Sequence, residues 1–236
     1  MRQRHSLIFL VFTLISTSAI AQSTTLAQWD PGLSFTQKFP NRWSLNVNTL
    51  QRSNLAEYEP EGTQQNFRWN LNETQFFATY ELWKNKKISG GYAFQVRASE
   101  PDEFHEHRLM EQFAFVTYAL GGKRIAHRVR LEQRIRDSEL TNRMRYRLGF
   151  DSPLNGERLD PGEFYGIVTN EFLWSFNRTG QSGENRLFAG IGWFFNRQYK
   201  LQTGLMYRLS RRSANYLNIL AISTTLYINN QKKAKQ

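Results

Sequence analysis

Residues 124–137 read RIAHRVRLEQRIRD, and the chemistry changes at almost every step. Val129, Leu131 and Ile135 occupy odd positions, while Arg128, Arg130, Glu132, Arg134 and Arg136 occupy even ones. Successive side chains of a strand point to opposite faces, so this segment is a strand with one apolar face and one guanidinium face. A short connection at about 138–141 leads into a second alternation, Arg143, Met144, Arg145, Tyr146, Arg147 and Leu148. A hairpin centred between Glu139 and Leu140 would set Arg136 opposite Arg143, Arg134 opposite Arg145 and Glu132 opposite Arg147. Like charges directly opposite destabilise a strand pair, so such a face needs carboxylates from elsewhere or water to hydrate it. Glu132 on the same strand, Glu171, and either Glu106 or Glu111 are the candidates. The candidate site is therefore a charge network of Arg128, Arg130, Glu132, Arg134, Arg136, Arg143, Arg145, Arg147 and Glu171.

The same period of two recurs along the chain. Trp43, Leu45 and Val47 alternate with Ser44, Asn46 and Asn48, and Ile88, Tyr92, Phe94 and Val96 alternate with small or polar residues. Eleven segments qualify: 29–38, 43–51, 66–82, 87–98, 107–120, 124–137, 142–150, 163–176, 185–195, 199–210 and 216–228. Most are long for strands, with aromatic residues crowding their ends. That combination predicts an all-β, antiparallel transmembrane β-barrel of about 10–12 strands, with lipid-facing and lumen-facing residues alternating between two aromatic girdles. An even strand number is expected of such barrels, so the first segment is either not a full wall strand or one further strand is hidden. The segment 66–82 is suspect because its apolar phase moves from odd positions (Phe67, Trp69, Leu71) to even ones (Phe76, Ala78, Tyr80, Leu82). A bulge near 72–75 or a concealed turn would explain the change. Short turns at 84–87, 121–123 and 196–198 alternate with longer links at 52–65 and 99–105, as short periplasmic turns and long outer loops would; the link 151–162 breaks the rule.

The chain has 236 residues with a formal net charge of +11 and no Cys, which excludes a disulfide scaffold and thiolate chemistry. Its basic character would suit a nucleic-acid partner, but the first residues argue against one. Arg2, Arg4 and His5 precede the apolar run LIFLVFTLI at 7–15, and Ala19-Ile20-Ala21 ends in the small residues that a signal peptidase needs. This is a secretory signal at 1–21, followed by a barrel domain at 22–236. Outer-membrane lipid, lipopolysaccharide and the barrel-assembly machinery are the expected partners, with no nucleic acid.

Catalytic and metal-binding patterns are sparse. His105 and His107 share one face of a strand and could begin a metal site with Glu103 or Glu106, but no further ligands cluster with them. His127 falls in the apolar phase of its strand, where it could serve as the base of a lipid-acting hydrolase if a serine lay on a neighbouring strand. No G-x-S-x-G and no phosphate-binding glycine loop is present, and no cofactor is implied.

Several strings, in order, resemble a domain-of-unknown-function family, number 2490, of bacterial outer-membrane proteins. They are the Trp43 strand ending at Arg52, Gly91-Tyr92, Glu106-His107-Arg108-Leu109 with Glu111-Gln112, RVRLEQR at 128–134, RMRYRL at 143–148, Asn170-Glu171-Phe172 and Asn185-Arg186. The resemblance implies an outer-membrane barrel without an assigned activity, and it carries no catalytic residues. Outer-membrane barrels commonly end on an aromatic residue in the last strand, whereas here the polar tail 229–236 follows Tyr227 and Ile228. The last segment sets Leu217, Ile219 and Ala221 against Leu220, Ile222 and Leu226, so its two faces are not separable. The expected function is a structural or loop-presenting barrel with an arginine-rich interior. A narrow anion-preferring pore, a lipid-modifying enzyme and a soluble secreted β-sandwich are the alternatives.

Overall fold

A computed structural model of the chain describes residues 25–59, 62–64, 67–98, 103–118, 124–137, 139–155, 159–212 and 215–231; the expected signal peptide at 1–21 lies outside them. The chain forms β1 (Thr25–Lys38), β2 (Trp43–Glu59), β3 (Gly62–Gln64), β4 (Arg68–Trp83), β5 (Lys86–Ala98), β6 (Glu103–Tyr118), β7 (Arg124–Arg136), β8 (Glu139–Pro153), β9 (Glu163–Phe176), β10 (Gln181–Phe194), β11 (Tyr199–Arg212) and β12 (Asn215–Gln231). Apart from β3, a short ladder on the end of β2, each strand pairs with its two neighbours, and β1 pairs with both β2 and β12. The wall is thus a closed barrel of eleven strands, neither ten nor twelve, and the first segment is a full member of it. All neighbours run antiparallel except β1 and β12, which run parallel from Thr25 opposite Asn218 to Lys38 opposite Gln231. An odd ring of alternating strands must contain one such pair. Closure of a single sheet also replaces the two-sheet sandwich considered as an alternative.

The strands are strongly inclined. Following partners around the wall from Trp43 passes through Tyr80, Ile88, Phe113, Val129, Tyr146, Phe172, Asn185, Leu209, Asn218 and Thr25 and arrives at Tyr58, fifteen residues further along β2. A stagger of that size is how a closed wall of tilted strands fits together.

The structure corrects several local expectations. Cα partners in the β7–β8 hairpin are Arg136 and Glu139, Glu132 and Arg143, Arg130 and Arg145, and Arg128 and Arg147. The register is shifted because β7 ends at Arg136 and β8 already begins at Glu139, with Asp137 in the left-handed region at φ 46. The shift sets Arg136 and Arg143 opposite carboxylates instead of each other. The change of phase in β4 is a bulge at Asn70, where Arg52 faces Leu71 but Ser53 faces Trp69. That is just before the expected 72–75, and it leaves Trp69 outside and Leu71 inside. Within the long links at 52–65 and 99–105, residues 52–59, 62–64 and 103–105 are strand, belonging to β2, β3 and β6. The 154–162 connection is tied back to the wall: Gly162 N donates to Phe194 O at 2.7 Å and Trp193 Nε1 donates to Gly162 O at 3.2 Å. In β12, Leu220 and Ile222 are exposed outside, whereas Leu217 and Ile219 line the interior and Ala221 is buried. Its faces were inseparable because both are apolar.

Candidate functional site: the charged lumen

The alternation that builds the wall also sorts its chemistry. Among the described residues, 36 large hydrophobic side chains are exposed, whereas 16 polar or charged residues are buried against 9 apolar ones. Trp43, Trp83, Tyr118, Phe164 and Trp193 mark the outside near the mouth where β12 ends, called here the second mouth. Tyr58, Phe67, Trp174, Phe176 and Tyr216 mark it near the first mouth, where β1 begins.

Inside, carboxylates bridge arginines of neighbouring strands. Glu171 on β9 accepts from Arg128 Nη2 at 2.8 Å and from Arg145 Nη2 at 2.7 Å, with Arg147 Nε further off at 3.9 Å. Arg145 also donates from Nη1 to Glu132 at 2.7 Å, so it joins three strands. Glu106 receives Arg134 through two bonds of 2.9 and 2.7 Å and Arg108 Nε at 2.5 Å. Arg108 reaches on to Glu73 at 2.8 Å and to Gln95. On the other side of the barrel, Asp30 takes both Arg52 Nε at 2.9 Å and Arg52 Nη2 at 3.1 Å, and it also takes Arg208. Charge-assisted and bidentate pairs of this kind are the strongest hydrogen bonds available to a side chain. Glu132 and Glu171 are each only 1% exposed. In such a setting a lost partner leaves a buried charge behind.

Every member of the expected network except Glu132 lines one cavity of about 1510 Å³, and Glu132 lies buried in its wall. Not all members pair with carboxylates. Arg130 lies over the Phe77 ring at 4.8 Å and donates to Gln112, with Glu132 at 3.6 Å. Arg143 donates from Nε to Ser175 at 2.7 Å. Arg136 lies over the Phe104 ring at 4.8 Å. Of the two alternative carboxylates, Glu106 is the one inside. Glu111 points outward from the middle of β6, beside Gly90 and Leu131, and makes no ion pair among the described residues. Asp30, Arg52, Glu73, Gln95, Arg97, Arg108, Glu184, Arg186 and Arg208 also belong to the lumen but were not singled out in the sequence. Their parity held the signal: Arg52, for instance, continues the polar phase of Ser44, Asn46 and Asn48.

His105, His107 and His127 lie outside the lumen. His107 Nδ1 is 2.6 Å from the Tyr92 hydroxyl, and His105 stacks on Phe94. His127 stacks on Phe115, with Nε2 at 2.9 Å from Thr117 Oγ1 and Nδ1 at 2.9 Å from the Tyr146 hydroxyl. Its hydroxyl neighbours are thus a threonine and a tyrosine rather than a serine. No group of three or more metal-binding side chains occurs among the described residues.

A family model described as "Protein of unknown function (DUF2490)" matches residues 31–218. No curated protein and no protein of solved structure matches the chain.

Proposed function

From a chain that belongs to the DUF2490 family and folds as a closed eleven-stranded barrel, we propose an integral outer-membrane protein whose ionic interior holds the wall in shape. The inverted surface carries this reading: a broad apolar exterior surrounds a buried polar interior, the reverse of what water selects. Outer-membrane lipid and lipopolysaccharide then cover the exterior, and the barrel-assembly machinery inserts it after export. The interior serves structure, and the connections at the two mouths are what other molecules meet. Fractionation tests the proposal. The protein is expected in the outer membrane, with different gel mobility before and after boiling; recovery in the periplasmic extract without detergent would refute it.

A second reading, a narrow anion pathway, is favoured by one observation. The cavity is lined from Asn177 and Gly180 at the first mouth to Lys200 and Asn229 at the second, and its wall carries more cations than carboxylates. Planar-bilayer recording separates the two. Anion-preferring conductance that falls in Arg147→Ala supports the pathway, and a silent bilayer leaves the structural role.

A further inference from the structure

The lumen's carboxylates are unevenly spent. Asp30, Glu73, Glu106, Glu132, Glu171 and Glu184 each engage at least one arginine, whereas Glu139, the Cα partner of Arg136 at the cavity's rim, accepts from Asn177 Nδ2 at 2.5 Å instead. Among the arginines that line the cavity, Arg97, Arg136 and Arg143 form no ion pair within 4.0 Å with a carboxylate of the described residues. All three sit toward the first mouth. Arg97 is the penultimate residue of β5, Arg136 is the last of β7, and Arg143 lies close to the start of β8.

Their surroundings leave donors over. Arg97 and Arg136 flank one aromatic ring, their guanidinium carbons 5.7 and 4.8 Å from the centroid of Phe104. Such a contact orients a guanidinium without neutralising it. Arg97 Nε is buried and has no hydrogen-bond partner. Arg143 uses its Nε on Ser175 at 2.7 Å, and both of its terminal nitrogens remain. The nearby Arg134 is already bound to Glu106. Like charges gathered in a partly enclosed cavity repel one another, and an anion entering the mouth would relieve that repulsion.

We propose that the first mouth of the lumen is a binding site for a phosphate-type oxyanion, held by Arg97, Arg136 and Arg143. Three uncompensated guanidiniums match a multiply charged anion better than a single carboxylate, and planar forks suit phosphate oxygens. The ligand is either soluble or a phosphomonoester headgroup, since both present the same oxygens. The site needs neither conduction nor a particular orientation in a membrane, so its fate is separable from both readings above.

The test is calorimetric titration of the detergent-solubilised barrel at fixed ionic strength, with sodium pyrophosphate in one arm and phosphatidic acid in mixed micelles in the other. Saturable binding of pyrophosphate supports a soluble ligand; saturation with phosphatidic acid alone supports a headgroup. Arg136→Gln and Arg143→Gln are each expected to weaken binding about tenfold, the scale of one charge-assisted contact. Lys200→Gln, which removes a cation at the second mouth, is expected to leave binding unchanged. Boiled and unboiled gel mobility shows which variants are folded, and the wild-type titration stands without them. Absence of saturation in both arms overturns the proposal. Equal weakening by Lys200→Gln also overturns it, because the effect would then be that of net charge.

Discussion

Glu171 joins arginines of two different strands, Arg128 on β7 and Arg145 on β8. It accepts from Arg128 and Arg145 at 2.8 and 2.7 Å and is 1% exposed, so its removal strands the Arg128 guanidinium in the wall and leaves Arg145 with Glu132 alone. Breaking a buried pair from one side typically costs about 3–5 kcal/mol. Glu171→Ala is therefore expected to lower the unfolding midpoint of the detergent-solubilised barrel sharply. Arg136→Gln, with no carboxylate to leave behind, is expected to change it little. Gel mobility followed along a temperature series measures both. The arginines of this site were legible one by one, because a strand that alternates guanidinium with Val, Leu or Ile declares its faces. Their carboxylates were less so. Glu106 and Glu111 stand five residues apart, an odd offset that puts them on opposite sides of β6, and only the pairing to β7 tells which side is inner. Arg208 and Asp30 are separated by 178 positions and meet only when the ring closes.

At the level of strands, close approach of side chain to backbone sets the limits. Phe77 points inward from β4 and lies over Gly91 on β5, where an added methyl would come within 2.5 Å of the ring carbon Cε1 and 2.8 Å of Phe76 O. Gly91→Ala is expected to destabilise the barrel by about 1–3 kcal/mol, the range for overpacking. Combining it with Phe77→Leu should cost less than the two changes added together, which a double-mutant cycle of unfolding free energies would detect. The extents of most strands were readable to within a few residues, since a period of two persists until a turn stops it; β2, expected to end at 51, runs on to Glu59. The register of β7 against β8 was not. A hairpin's register depends on its turn, and a connection this short, with Asp137 at positive φ, leaves no mark in the alternation that distinguishes it from a longer one. In β12 the alternation is uninformative for a different reason. Leu217 and Ile219 line an interior that elsewhere is charged, so hydrophobicity alone did not tell inside from outside.

Across the whole molecule, folding gathers charge within one wall while leaving that wall's outer face apolar. The general architecture followed from the sequence because nearly every segment, β12 excepted, repeats one two-faced pattern. Eleven two-faced segments were already countable, but the rule of even strand numbers argued against eleven, and alternation, which describes strands singly, says nothing about how a ring is joined. The parallel seam between β1 and β12 has a topological result: β1 starts at one rim and β12 finishes at the opposite rim. In a membrane, an epitope ahead of Thr25 and another beyond Gln231 would be reached from different compartments, and a short peptide could not splice the two ends into a circularly permuted chain.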